Sequence, residues 1–391
     1  MTKPFVFEKP LGMRDILPTD VERKEEVLLR IQKVIKRWGY ERIETPTLEF
    51  YDTVGGVSAT LEQKLFKLLD RSGRSLVLRP DMTTPIARVV GSLLKEQAFP
   101  LRLAYQGNVF RAQENEAGKN AEFPEVGVEL IGEVAPDADA EVLVLAIESL
   151  RAAGVEKFQI AIGHVGFLHS LLALYFEDGE QQELKRHLYQ KNYVGFQQLV
   201  VDSALAEGDK EKVLALLKLQ GGAEILETLK QLELPNPLKK SIYELEELWA
   251  VLKLYGITEH ILLDLSLLKE MDYYTGILFE GYAHSLGFPI CDGGRYDQLL
   301  EGFGRPAPAI GFSLKLDRVI EVVGSSLTQK GCKEKPIRIL YGEAERRKAI
   351  ELAARHRAEG RIVKLHFKQN GAFEKDERLA EEIIDLRKGG A

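Results

Sequence analysis

Residues 269–297 read KEMDYYTGILFEGYAHSLGFPICDGGRYD. Aromatic and aliphatic residues (Tyr274, Ile277, Phe279) are interleaved and glycines close each end, so the stretch predicts strand, turn, strand. Asp272, Tyr273, Tyr274 and Thr275 precede Gly276, a concentration of hydrogen-bonding side chains on an otherwise apolar strand. A small polar ligand lying on a sheet needs this combination, an apolar floor with a few placed donors and acceptors. Taken alone, the stretch reads more simply as edge-strand tyrosines with their hydroxyls in water. The rest of the chain overturns that simpler reading.

The 391 residues can bury a large core and predict two or three domains. With 45% hydrophobic and 29% charged residues, the composition is that of a soluble globular protein. A net charge of −7 argues against a chain whose main task is gripping a nucleic-acid backbone. The only cysteines, Cys291 and Cys332, have no paired spacing, so neither a disulfide framework nor a zinc site is implied, and no metal is expected. His164 and His169 have the wrong spacing for one helical face and read as structural. There is no apolar signal core and no run long enough to span a bilayer, so no membrane contact is expected and the cytoplasm is the expected compartment.

Along the chain, Thr19 or Asp20 is expected to cap an amphipathic helix that runs to about Trp38 and stops at Gly39. Val27, Leu28, Ile31, Val34 and Ile35 form its buried stripe. Residues 65–78 predict a hairpin turned at Ser72-Gly73, followed by a helix opening at Thr83 or Thr84. Strands at 101–106 and 125–131 flank an irregular loop, with a helix at 138–153 and a strand at 158–162 beyond. Residues from about 168 to 254 are helical and charged, without strand signal; sheet character returns at Leu262, and 309–323 reads as strand into helix. Residues 325–336 are the linker candidate. Strand 337–341, helix 343–358, strand 362–367 and helix 375–387 then make one βαβα unit of about 55 residues, roughly half a complete small α/β domain.

The opening stretch resembles the histidine-binding signature of histidyl-tRNA synthetases, approximately V-R-G-L-D-Y-Y-T followed by F-E and G-G-R-Y-D. Other motifs fall in the family's order. Gly12-Met13-Arg14-Asp15-Ile16-Leu17-Pro18 is similar to its opening motif and Leu78-Arg79-Pro80-Asp81-Met82-Thr83 to its L-R-P-E-x-T. Phe110-Arg111 with Phe123 and Gly127-Val128-Glu129, and Gly311-Phe312 through Asp317-Arg318, resemble the second and third class II synthetase motifs. The resemblance covers about residues 5–325. It implies an α+β fold: a class II synthetase-like antiparallel sheet flanked by helices over residues 1–324, a helical insertion at about 168–254, a linker at 325–336, and a truncated α/β domain at 337–391 that stands where the anticodon-binding domain would be. It also implies a dimer contact through the first helix and the short strand near Ile43.

By the same resemblance, Asp81 and Thr83 hold a histidine ligand's α-amino group, and Glu129 and Tyr274 face its imidazole. A carboxylate facing an imidazole N–H makes a charge-assisted hydrogen bond. Arg111, Glu125, Lys269 and Tyr273 complete the expected histidine-binding set, and Arg111 with Arg318 match the arginines that grip ATP phosphates. The rest of the nucleotide site departs from the family. Gln113 replaces a glutamate, Lys269 an arginine, Glu270 a glycine and Lys315 a glycine. Lysine lacks the bidentate fork of arginine, so the exchange at Lys269 is not conservative beside phosphate or carboxylate. Glu114, Asn115 and Glu116 stand in the loop that meets tRNA, with Lys119 retained and Ala121 beyond; carboxylates there repel phosphates.

A histidine pocket without activation chemistry is similar to the regulatory subunits of ATP phosphoribosyltransferase, the enzyme that begins histidine biosynthesis. The resemblance implies a non-catalytic chain with no catalytic residues and no cofactor. Its expected partners are a short-form catalytic subunit, in a hetero-oligomer containing a homodimer of this chain, and histidine as inhibitory ligand; tRNA is not among them. The alternatives are a divergent active histidyl-tRNA synthetase and a paralogue with another amino-acid-dependent task.

Overall fold

A computed structural model describes residues 8–54, 62–112, 120–269, 273–324, 336–367 and 382–388. Asp272, Gln113, Glu114, Asn115, Glu116, Lys119, Glu270 and all of the 325–336 segment except Pro336 lie outside them. The chain divides into two compact units, residues 1–324 and 325–391.

Helix α1 (Pro18–Arg37) buries Val27, Leu28, Ile31 and Ile35, with Val34 half-buried at the margin. Its start differs from expectation. The capping position is Leu17, which makes no side-chain cap, and Pro18 opens the first turn. Proline needs no N–H partner there and its fixed φ suits the helix, so the chain turns in earlier than Thr19 or Asp20. Asp20 instead lies in the first turn, at the positive end of the helix dipole, and accepts from Arg23 at 3.1 Å. Trp38 and Gly39, the latter at φ +81°, end the helix.

Strand β1 (Glu41–Arg42) then runs parallel to β5 (Leu101–Phe110). Between them β2 (Leu48–Phe50), the single-turn α2 (Tyr51–Val54), β3 (Lys67–Leu69) and β4 (Ser75–Leu78) build a small antiparallel sheet in the order β2-β4-β3, and α3 (Thr83–Ser92) follows. β5 pairs with β6 (Glu122–Ile131), and both are longer than expected because the hairpin arms pair over ten residues. Helix α4 (Asp137–Ala153) is buried on nearly every side, not along one stripe; α1 and α10 (Asn236–Leu254) pack on it together with the sheet.

β7 (Phe158–His164) leads into α5 (Val165–Tyr175), α6 (Asp178–Tyr189), α7 (Tyr193–Asp202), α8 (Glu207–Leu217) and α9 (Ala223–Lys230) before α10. One short strand interrupts this helical run: β8 (Gln220–Gly221) pairs antiparallel with β9 (Ile261–Asp264). Two residues are too few for a periodic signal, and the neighbouring strand makes the pairing. β10 (Ile277–Ala283), β11 (Pro289–Arg295), β12 (Ala309–Lys315) and α11 (Leu316–Val323) complete the unit. The large sheet has nine strands in the order β1-β5-β6-β12-β11-β10-β7-β9-β8. Its centre is antiparallel, with parallel pairs only at β1–β5 and β7–β9.

In the second unit, β13 (Ile337–Tyr341) is flanked by β14 (Val363–Phe367) and β15 (Glu382–Asp385), all parallel, with α12 (Arg346–Ala358) packed against them. β15 corrects the expected helix at 375–387 over residues 382–385, and a 3-10 turn, Leu386–Lys388, follows it. Ile383 and Ile384 are β-branched, and pairing beside β13 wins over a charge pattern that suggested a helix.

One buried ion pair ties β11 to α4 in the first unit. Arg295 Nε and Nη2 donate to Asp139 Oδ1 at 2.8 and 2.5 Å, and its Nη1 lies 3.0 Å from Asp297. Removing one partner of a buried pair typically costs about 3–5 kcal/mol, whereas apolar replacement of both is far milder. Arg295→Met should therefore lose about 3–5 kcal/mol in urea unfolding. Arg295→Met combined with Asp139→Leu should recover most of that loss; additive losses would contradict this account.

Candidate functional site

Strand alternation builds the site. On β6, Glu125, Gly127 and Glu129 share one face, and on β12 Lys315, Ser313 and Gly311 stand directly opposite them. On β11, Asp292 pairs with Ser313 and Gly294 with Gly311, extending the same face across a third strand. Glycine is required at all three glycine positions; a Cβ on Gly127 would lie 2.1 Å from the Phe312 carbonyl oxygen. A Cβ on Gly311 would lie 1.9 Å from Glu129 Oε2, and one on Gly294 would lie 2.7 Å from the Tyr274 ring. Without those Cβ atoms, the larger side chains can lie down on the sheet. Tyr273 and Tyr274 arrive from the turn before β10, not from the strand where their spacing put them. Asp81 and Thr83 come from the start of α3, where the Thr84 amide donates to Asp81 Oδ1 at 2.7 Å. The result is a small polar pocket.

Glu129 lies at its floor, 1% exposed. Thr83 Oγ1 donates to its Oε1 at 2.7 Å, and the Tyr296 hydroxyl donates to its Oε2. Burial pushes the Glu129 carboxyl up to about 8, against the pull of those two donors, and the nearby Asp81 and Glu125 add to the rise. At the other end Lys315 Nζ donates to Glu125 Oε1 at 2.5 Å and lies 2.8 Å from Asp292 Oδ1. Burial alone would raise the Asp292 carboxyl, but Lys269 and Lys315 outweigh it and hold it well below the usual range. Arg111 Nε donates to the Pro80 carbonyl at 2.8 Å, which fixes the guanidinium plane at the wall.

Of the residues expected from sequence, Asp81, Thr83, Arg111, Glu125, Glu129, Tyr273 and Tyr274 all line this pocket. Lys269 and Arg318 are not part of its lining. Lys269 sits behind it, donating to Asp292 Oδ2 at 2.6 Å. Arg318 on α11 donates to the Pro289 carbonyl at 2.7 Å and lies over the Phe288 ring. Sequence reading missed Tyr105, Asp292 and Tyr296 as pocket residues. Asp292 and Tyr296 lie within the quoted 269–297 stretch, and strand alternation carried back from Gly294 would have placed Asp292 on the pocket face; Tyr105 carries no such signal. Among the described residues, no group of three or more His, Cys, Asp or Glu side chains is arranged to hold a metal.

Residues 12–319 match the family model described as histidyl-tRNA synthetase. A chain from Halalkalibacterium halodurans named "ATP phosphoribosyltransferase regulatory subunit" is 48% identical over 366 residues, 93% of this chain and 92% of that one. This chain belongs to the ATP phosphoribosyltransferase regulatory subunits, on a histidyl-tRNA synthetase-like fold. A crystal structure titled as an ATP phosphoribosyltransferase regulatory subunit/histidyl-tRNA synthetase from Bacillus halodurans C superposes with a TM-score of 0.87 at 45% identity, covering 98% of this chain and 99% of that one. Histidyl-tRNA synthetase from Nostoc sp. PCC 7120, at 20% identity and TM-score 0.75 over 94% of this chain and 88% of its own, shares the fold. The α+β class expected from the motifs is thus the class found. No helix among the described residues of this chain is long and apolar enough to cross a membrane.

The raised Glu129 carboxyl has a measurable consequence. An exposed glutamate ionises near 4.5 and this one near 8, so between those values the folded chain holds the extra proton. Stability then falls as pH rises through that window. Glu129→Gln cannot ionise and removes the effect. Its melting temperature relative to wild type should climb between about pH 4.5 and about pH 8 in scanning calorimetry; a constant offset would contradict a buried, protonated Glu129.

Proposed function

We propose that this chain is a non-catalytic regulatory subunit of ATP phosphoribosyltransferase that binds histidine in the β6–β12–β11 pocket and transmits feedback inhibition. The observation that carries the reading is the pocket's division into two ends. Its amino-acid end has Asp81 and Thr83 for an ammonium, and Glu129 and Tyr274 for an imidazole N–H. Each Glu129 oxygen has a second lone pair beyond the one taken by Thr83 or Tyr296. The other end holds Lys315, committed to Glu125 and Asp292. A zwitterion enters such a balanced site without changing its net charge. A triphosphate brings several negative charges to a lysine that already has two carboxylates.

In this reading Arg111, Glu125, Lys269 and Tyr273 shape the ligand's surroundings, and Arg111 and Arg318 are remnants of a nucleotide site. The partner is a short-form catalytic subunit in a hetero-oligomer that contains a homodimer of this chain, in the cytoplasm, without tRNA. Residues 1–324 are the synthetase-like body, 168–254 its helical insertion, 325–336 a linker and 337–391 a truncated C-terminal domain.

Two measurements test the reading. Isothermal calorimetry should show histidine binding while ATP–pyrophosphate exchange stays at background; robust exchange would favour an active synthetase instead. In the reconstituted complex, Glu129→Ala should raise the histidine concentration for half-inhibition about ten-fold or more, since leaving a buried hydrogen-bonding group without its partner costs about 1–3 kcal/mol. Inhibition identical to wild type would place histidine sensing outside this pocket.

A further inference from the structure

The ion pairs that begin at the pocket continue beyond it. Glu125 meets Lys315, Lys315 meets Asp292, and Asp292 accepts from Lys269 at 2.6 Å. Lys269 Nζ lies 3.8 Å from Glu280 Oε1, and Glu280 Oε2 accepts from Lys191 Nζ at 3.0 Å and from the Tyr282 hydroxyl. The six charges alternate in sign without a break. Glu125, Lys315, Asp292 and Glu280 sit on β6, β12, β11 and β10, which are consecutive in the sheet. The five charges inside the chain of pairs are buried, with side-chain exposures of 4, 11, 12, 14 and 7% from Glu125 to Glu280. Such charges are screened little by water, so each depends on its neighbours.

The sixth, Lys191, is half-exposed and belongs to the turn between α6 and α7, in the helical segment. It is the only non-glycine residue at positive φ among the described residues, at +54°. The turn is held by Lys191 N donating to Leu188 O at 3.0 Å and by Asn192, whose side chain caps α7 by accepting from the Gly195 amide at 2.9 Å. Glycine or asparagine would take that left-handed conformation more easily. What lysine adds there is an ammonium that reaches Glu280 and lies 5.0 Å from the centre of the Tyr282 ring.

We propose that Lys191 is a positioning residue for the ligand pocket, acting through Glu280, Lys269 and Asp292 on Lys315, so that pocket occupancy and the α6–α7 turn are coupled. Without Lys191, Glu280 has Lys269 as its remaining cation and draws it from Asp292. Asp292 then draws Lys315 from Glu125, and the charge facing the pocket changes. By reciprocity, a ligand that engages Glu125 or Lys315 alters how firmly the turn is held. That the ligand is histidine rests on the function proposed above; the ladder itself does not.

The test is hydrogen exchange and calorimetry on the full chain. In the ligand-free protein, Glu125→Gln neutralises the pocket end and should change amide exchange at residues 187–195 several-fold, although these residues do not touch Glu125. Histidine titrated into Lys191→Met should bind about 3- to 30-fold more weakly than to wild type, the range found for residues that act along a network. Lys191→Arg, which keeps the charge, should restore affinity to within about two-fold, and thermal melts report whether each variant is folded. Unchanged exchange at 187–195 in Glu125→Gln, or wild-type affinity in folded Lys191→Met, overturns the proposal. Exchange that responds to Glu125→Gln in a chain that binds no histidine supports the ladder and refutes the histidine reading.

Discussion

A sheet face that carries carboxylates must either be wet or pair its charges, and here most of them are buried. Glu125, Glu129, Asp292 and Glu280 all lie under 15% exposed on neighbouring strands. Isolated, each would be costly to keep ionised. The chain meets that constraint in two ways. Lysines are threaded between Glu125, Asp292 and Glu280, while Glu129 takes hydroxyl donors and a raised pKa. The rest of the site follows from this: the glycines that leave room, the tyrosines that roof it, and the buried Arg295–Asp139 pair that anchors β11 to α4.

The two solutions leave the pocket electrically uneven without a large net charge. At the Glu129 end burial raises the carboxyl to about 8, so it keeps its proton at neutral pH. At the Lys315 end the ammonium is held on two sides and would have to break an ion pair to serve a new partner. Lys315 on β12 supplies both bulk and a counter-charge to Glu125 and Asp292 at the same point.

Much of this was legible before any coordinates. The resemblance of motifs in order placed Asp81, Thr83, Arg111, Glu125 and Glu129 in one site although they are drawn from separate elements. The failures have physical reasons. Tyr273 and Tyr274 were put on a strand because aromatic residues favour strands, yet they occupy a turn, from which the Tyr274 ring reaches over Gly294. β15 was taken for a helix because its neighbours are charged, whereas parallel pairing with β13 is a long-range effect that no local window contains. Lys315 stood out only as a departure from a pattern; its partners, 190 and 23 residues away, become visible only in three dimensions.

That separation also bears on how the protein comes into being. The β6–β12 pairing that forms the pocket floor joins residues 190 apart in sequence, with the entire helical segment made between them. Loops of that length close slowly, and chains emerge from the ribosome N-terminal end first. The Thr83–Glu129 side of the pocket, carried by α3 and β6, is thus synthesised long before the strand that completes it. The pocket is therefore incomplete until β12 has emerged and docked, and it forms late, together with the closing of the sheet.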